Sequence, residues 1–162
     1  MKTLLLLRHA KSSWSAPGFE DHARPLNKRG KHDAPLVGKL IREQGLTPDL
    51  IISSTAQRAQ DTARLAGEAC GYEGEIDLRQ ELYLSDTTCY LDILQTLPDS
   101  LSCVLMVGHN PDLEELLGLL TDYADTFPTA ALAQVELPIA SWQSLSEATD
   151  GYLKNLWKPR EL

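Results

Sequence analysis

Three short polar clusters each follow an apolar run, and their residue types are those of anion chemistry. Arg8-His9 comes directly after four leucines, and Ser53-Ser54-Thr55, with Arg58 close behind, follows the apolar stretch 50–52. Gly108-His109-Asn110-Pro111 follows the stretch 103–107. If the runs are neighbouring strands of an α/β sheet, the clusters fall beyond the strands' carboxyl ends, where such sheets bind ligands. Two imidazoles and two guanidinium groups then converge from loops far apart in the chain. That is an anion site with two candidate nucleophiles or acid–base groups. Each residue also has a plainer reading: His109 as a strand-end side chain that packs, Arg58 as a solvated surface cation, Arg8 as half of an ion pair. Against these, charge at the end of a buried strand must be paired or functional. Arg58 falls in the first turn of a helix, where the dipole disfavours a cation unless an anion is near.

The elements that must position these clusters are legible as alternating apolar runs and amphipathic stretches. Residues 2–8 (KTLLLLR) read as a buried strand, although a leucine run of this length also suits a helix. Residues 28–44 have the apolar spread of a helix in Leu36, Val37, Leu40 and Ile41, with Pro35 marking a kink or a later start. LIIS at 50–53 is a second strand, and Ser54 or Thr55 can cap the helix 56–70. A short strand at 75–78, a helix at 88–96, the strand CVLMVG at 103–108 and a helix at 111–121 follow. Strands at 133–138 and 151–158 close the chain, with Trp142 in their connection. At the fourth helix Asn110 is a favoured N-cap and Pro111 suits the first helical position. Asp112, Glu114 and Glu115 then load the first turn with acid, and His109 sits where free helix amides attract phosphate. The pattern predicts an α/β protein: a three-layer αβα sandwich with a mostly parallel central sheet and helices on both faces.

A chain of 162 residues fits one domain spanning 1–162, large enough to bury a core without staples. The formal net charge is −8, which argues against nucleic-acid binding. The charge is uneven: through residue 60 there are 10 basic and 5 acidic side chains, and beyond it 5 basic and 18 acidic. A basic portion in an acidic protein points to a local anion site or to a chance skew of one surface. Cys70, Cys89 and Cys103 form no close pair and read as buried thiols. The four histidines lack metal-ligand spacing, so no metal or cofactor is implied. Neither a signal peptide nor a membrane span is apparent, and a cytoplasmic protein is expected.

At the level of whole motifs the sequence resembles the histidine phosphatase superfamily, of phosphoglycerate mutase-like fold. LLLLRHAKSSW matches its N-terminal Arg-His signature. RPLNKRGKHDA (24–34), SSTAQRAQDTA (53–63) and VGHNPDLEEL (107–116) match its next three blocks in order and spacing. The likeness is firm over residues 3–120 and weaker over FPTAALAQVEL (127–137). The short length and the RHAKS form look most like the bacterial SixA-like branch of protein-phosphohistidine phosphatases. The resemblance implies that His9 takes the phosphoryl group and that Arg8 and Arg58 clamp its oxygens. It makes His109 the second pocket histidine, with Asn110 beside it as a candidate substrate contact. Ala10 stands where many members carry glycine, a change small enough to leave the turn intact. Glu81 lies near the region of the general acid found in larger members, but the acid is left unassigned.

The expected function is therefore a metal-independent phosphatase working through a phosphohistidine intermediate. In this superfamily cap insertions add many tens of residues, for which 162 residues leave no room. An uncapped pocket suits a phosphohistidine presented by a partner protein, which places the enzyme in signal transduction. The alternatives are a small-molecule phosphomonoesterase of the same mechanism and a non-catalytic phosphoprotein-binding module. The sequence names neither the physiological substrate nor the oligomeric state.

Overall fold

Leucines at four consecutive positions can all be buried only in a strand covered on both faces, and this is how the chain uses them. The computed structural model describes residues 1–14 and 20–159. In it β1 (Lys2–Arg8) runs through the sheet centre, with Leu4, Leu5, Leu6 and Leu7 fully buried. Successive side chains alternate faces: Leu4 and Leu6 enter one hydrophobic cluster, Leu5 and Leu7 the other. Each such burial stabilises the fold by about 1.5–3 kcal/mol. The leucine run is thus a strand because two layers of helices cover it.

The remaining elements are α1 (Lys28–Glu43), β2 (Leu50–Ser54), α2 (Gln57–Cys70), β3 (Ile76–Arg79) and α3 (Thr87–Leu94), followed by β4 (Cys103–Gly108), α4 (Asp112–Leu120), β5 (Leu132–Leu137) and β6 (Tyr152–Trp157). The strand order is β3-β2-β4-β1-β5-β6. The first four in that order are mutually parallel, and β5 and β6 add antiparallel at one side. Helices α1 and α2 cover one face, while α3 and α4 cover the other. This is the expected three-layer α/β sandwich. No helix among the described residues is long and apolar enough to cross a membrane.

Local details depart from the expectation in four places. Helix α1 starts at Lys28 and runs through Pro35, because the Asn27 side chain caps it by accepting from Gly30 N, and Ala34, Val37 and Ile41 bury against the sheet. Neither Ser54 nor Thr55 caps α2. Ala56 holds that position without a side-chain bond, since both hydroxyls face histidines instead. Asn110 does not cap α4. Pro111 occupies the N-cap position, and the Asn110 amide donates to Glu114 Oε1 and Phe127 O. Of the three thiols only Cys70 is buried; Cys89 on α3 and Cys103 at the start of β4 are half-buried. Trp142 is fully buried in a short 3-10 turn and donates Nε1–H to Leu101 O at 2.8 Å.

The α1–α2 contact that seats α2, and Arg58 with it, depends on Gly38. A Cβ there would lie 2.3 Å from Ala66 O and 2.7 Å from Ala69 Cβ. Gly38→Ala is expected to push the helices apart and to lower stability by about 1–3 kcal/mol, as overpacking does. Urea denaturation should show a lower midpoint at unchanged m-value; an unaltered midpoint would mean that the helices are free to shift.

Candidate active site

The register of the central strands brings the polar clusters together. Arg8 pairs with Gly108 across β1 and β4, and Ser53 pairs with Val107 across β2 and β4. Three loops therefore leave the sheet side by side at its carboxyl edge. His9 N–H donates to Gly108 O at 3.0 Å, and Ala10 N–H donates to Thr62 Oγ1 at 2.9 Å. Thr62 in turn donates to Arg58 O at 2.7 Å, fastening the first loop to α2. Gly108 has no space for a side chain, because a Cβ would lie 2.0 Å from the Tyr90 hydroxyl.

His9 and His109 face one another with ring centroids 5.1 Å apart. His9 Nδ1 lies 2.8 Å from Ala10 O. A carbonyl only accepts, so Nδ1 carries the proton and Nε2 keeps a bare lone pair. Burial pushes the His9 pKa from 6.5 down to about 3, helped by His109, Arg58 and Arg8. His109 is lowered to about 4, again by burial and then by the Arg58 charge. Its Nε2 shares a 2.7 Å hydrogen bond with Ser54 Oγ. Both imidazoles are neutral at physiological pH.

Arg58 is buried and Arg8 half-buried, and neither guanidinium has a complete set of partners. Arg58, only 6% exposed, donates NH1 to Asp21 O at 2.7 Å and NH2 to Asp21 Oδ2 at 3.2 Å. Arg8 donates NH1 to Phe127 O at 3.2 Å, and burial lowers its pKa despite the opposing Glu114 charge. The Nε of each guanidinium is buried with no acceptor. Buried donors are almost always satisfied, so two orphaned N–H groups on residues that line one cavity mark donors in surplus of acceptors, as an anion site has. That cavity, of about 560 Å³, is lined by Arg8, His9, Arg58 and His109 together with Lys11, Arg24 and Asp112. Four cations of the basic N-terminal portion thus gather at one pocket.

Asn110 also lines it, but both amide hydrogens are engaged and the remaining Oδ1 is an acceptor, which gives a phosphate oxygen no donor. Glu81 does not line the pocket; it lies 3.7 Å from Arg79 with its side chain 56% exposed. Among the described residues the one carboxyl in the lining is Asp112, whose Oδ2 accepts from Ser85 Oγ at 3.0 Å and whose pKa burial raises.

Three residues that sequence reasoning missed complete the frame. Asp21 accepts from Arg24 Nε at 3.0 Å, from Arg58, and from the Tyr83 hydroxyl at 2.6 Å. That hydroxyl is the largest cause of an Asp21 pKa lowered to about 2, with Arg58 and Arg24 adding to it. Arg24 also donates to Ser12 Oγ at 2.9 Å and lies 3.5 Å from the Trp14 ring centroid. The one signal available was an acid three residues before Arg24 within a basic stretch. Among the described residues no three His, Cys, Asp or Glu side chains cluster as a metal site.

The depressed histidines have a consequence for stability. The unfolded chain holds both near 6.5, whereas the folded protein holds His9 near 3 and His109 near 4. Between those limits the unfolded state binds more protons, so stability is full above about 6.5 and falls as pH drops. His9→Asn is expected to flatten the fall of Tm between pH 6.5 and 4, measured by calorimetry. A profile identical to that of the unsubstituted protein would mean that His9 ionises in the fold.

Comparison with known proteins places this geometry. Residues 4–83 match the histidine phosphatase superfamily (branch 1). An uncharacterized chloroplast protein of Arabidopsis thaliana is 30% identical over 152 residues, covering 88% of this chain and 69% of its own. The structure of an Agrobacterium tumefaciens protein assigned as phosphohistidine phosphatase SixA is 28% identical, with a TM-score of 0.78 and 98% of each chain covered. Its counterpart from Nakamurella multipartitia is 27% identical, with a TM-score of 0.85 over 98% of this chain and 96% of that one. With its Arg-His strand end, its clustered arginines and its paired imidazoles, the chain belongs to the histidine phosphatase superfamily, in the SixA-like branch.

Proposed function

We propose that the protein removes the phosphoryl group from phosphohistidine on a partner protein, through a phosphohistidine formed on its own His9. The observation that carries this reading is the convergence of Arg8 and Arg58, whose donors exceed their acceptors, on the cavity of an imidazole whose Nε2 is bare. In the first step the Nε2 lone pair attacks phosphorus as the bond from phosphorus to the substrate nitrogen breaks. The departing imidazole takes a proton from water at the pocket mouth. The Ala10 carbonyl keeps the Nδ1 proton in place and stabilises the positive charge that develops on the ring. Arg8 and Arg58 hold the equatorial oxygens, where charge is greatest in phosphoryl transfer. In the second step water attacks phosphorus, the bond to His9 breaks, and phosphate leaves with the imidazole neutral again. His109, neutral and 5.1 Å from His9 between ring centroids, closes the pocket on the side of β4.

A partner protein as substrate is supported by the pocket's open rim, where Trp14 is 81% and Leu84 is 85% exposed. The A. tumefaciens and N. multipartitia proteins assigned as phosphohistidine phosphatases support the same class. Rapid quenching should trap an acid-labile phosphate on His9, and His9→Asn should abolish turnover. The expected kcat/KM for a phosphohistidine protein exceeds that for a sugar phosphate by at least ~10²-fold, or about 2.7 kcal/mol. Equal efficiency on the sugar phosphate would favour the phosphomonoesterase reading. Stoichiometric binding without release of phosphate would favour the binding module.

The clamp yields a graded test. Arg58→Ala should lower kcat/KM by about 10³-fold, as loss of a charge-stabilising donor does. Arg58→Lys should recover part of it, since an ammonium lacks the fork. Asp21→Asn keeps the shape but loses the charge that orients Arg58 and Arg24, and should cost about 10- to 100-fold. Steady-state kinetics with p-nitrophenyl phosphate measures all three. An Asp21→Asn enzyme of full activity would show that the Asp21 main-chain carbonyl suffices to orient Arg58.

A further inference from the structure

Among the described residues two that are not glycine have positive φ, Leu84 at 53° and Ala130 at 60°. A Cβ makes this conformation unfavourable, so each needs a reason. Ala130 has an internal one. It is fully buried in the cluster beneath α1 and α2, and its N–H donates to Arg8 O and His9 O. Leu84 has none of that kind, because its side chain is 85% exposed and stands in the rim of the pocket.

Its neighbours show what imposes the conformation. Leu82 is fully buried, Tyr83 donates its hydroxyl to Asp21 Oδ2 at 2.6 Å, and Ser85 donates to Asp112 Oδ2 at 3.0 Å. The backbone is fixed on both sides of Leu84 by residues bonded into the site frame. The result is an apolar side chain held out in water beside the pocket mouth. A phosphoryl group that reaches His9 between the two guanidinium groups is joined to a body that passes this rim. Among side chains on that body, apolar ones gain most from meeting Leu84, since only their contact removes apolar surface from water on both sides.

We propose that Leu84 is a specificity-determining contact, selecting substrates whose phosphohistidine is flanked by apolar side chains. The inference rests on the phosphohistidine reading of the site and deepens it. Two pentapeptides phosphorylated on a central histidine with phosphoramidate provide the probe, one with leucine on either side and one with glycine. The unsubstituted protein is expected to favour the leucine-flanked peptide about 10-fold in kcat/KM, a contact of modest area. Leu84→Asn should bring that ratio close to one, and Leu84→Met should restore it. Asparagine tolerates positive φ, so Leu84→Asn should keep or raise Tm. A merely structural role would instead lower Tm and slow both peptides alike, and that outcome overturns the inference. A ratio near one in the unsubstituted protein, or one that persists in Leu84→Asn, also overturns it while leaving the phosphohistidine reading intact. Turnover of p-nitrophenyl phosphate with neither peptide hydrolysed would overturn the phosphohistidine reading, and this inference with it.

Discussion

The two central strands are buried on both faces, and that leaves the chain one place to put charge. Leu4–Leu7 of β1 and Val104–Val107 of β4 are all fully buried. An ionised group taken into such an interior costs several kcal/mol unless it is paired. The polar residues that follow each strand must therefore emerge at its end, and parallel pairing makes the two ends coincide. The register of Arg8 opposite Gly108 then dictates that His9 and His109 step off together. A slip of one residue would exchange the faces of four leucines, so core packing fixes the spacing of the imidazoles. The same register needs Gly108, because the Tyr90 hydroxyl fills the position a side chain would take.

Electrostatics follow from that placement. Arg8, Lys11, Arg24 and Arg58 crowd one cavity, and two carboxylates behind it offset part of their charge. Asp21 bonds Arg24 and Arg58, while Glu114 acts on Arg8 through its field and accepts from Asn110 and Phe127. The compensation comes from one side. The NH1 and NH2 edge of Arg58 meets Asp21, and its Nε is left over. Surplus positive charge and burial act in the same direction on the histidines, so the groups that favour an anion also keep His9 and His109 unprotonated. Attraction for an anion and a neutral imidazole have one common cause here.

What could be read from the sequence divides along the same line. Strands, helices and the four residues Arg8, His9, Arg58 and His109 were legible because each belongs to a local pattern: an apolar run, a strand end, the first turn of a helix. Asp21, Arg24 and Tyr83 were not, because their significance lies in contacts to residues up to 62 positions away. Ser54 and Asn110 show the converse error. Both have the chemistry of a cap, and local logic gave them that task. In the fold the Ser54 hydroxyl is engaged by His109, 55 positions away, while the Asn110 amide donates to Glu114 and Phe127 and leaves its Oδ1, the atom a cap would use, without a partner. Local propensity ranks what a side chain can do, and tertiary neighbours decide which option is taken. Glu81, for which no role was assigned, stands outside the pocket, 3.7 Å from Arg79 and 56% exposed.

The overall charge of −8 and the positive pocket act over different distances. At physiological ionic strength exposed charges are screened beyond about 8 Å, so the acidic remainder of the chain has little influence inside the pocket. A phosphoryl group in contact with Arg8 and Arg58 experiences their field almost unscreened. A partner protein of the kind proposed above would differ, because docking would bring a whole face within a screening length of the surface around the rim. The net charge of −8 would then act on such a partner chiefly through the rate of encounter. On the proposed function, anion capture would be set by the donors of the pocket, and discrimination between partners by the surface that surrounds them. The two can vary independently, so one scaffold can keep its phosphoryl chemistry while its rim is fitted to different proteins.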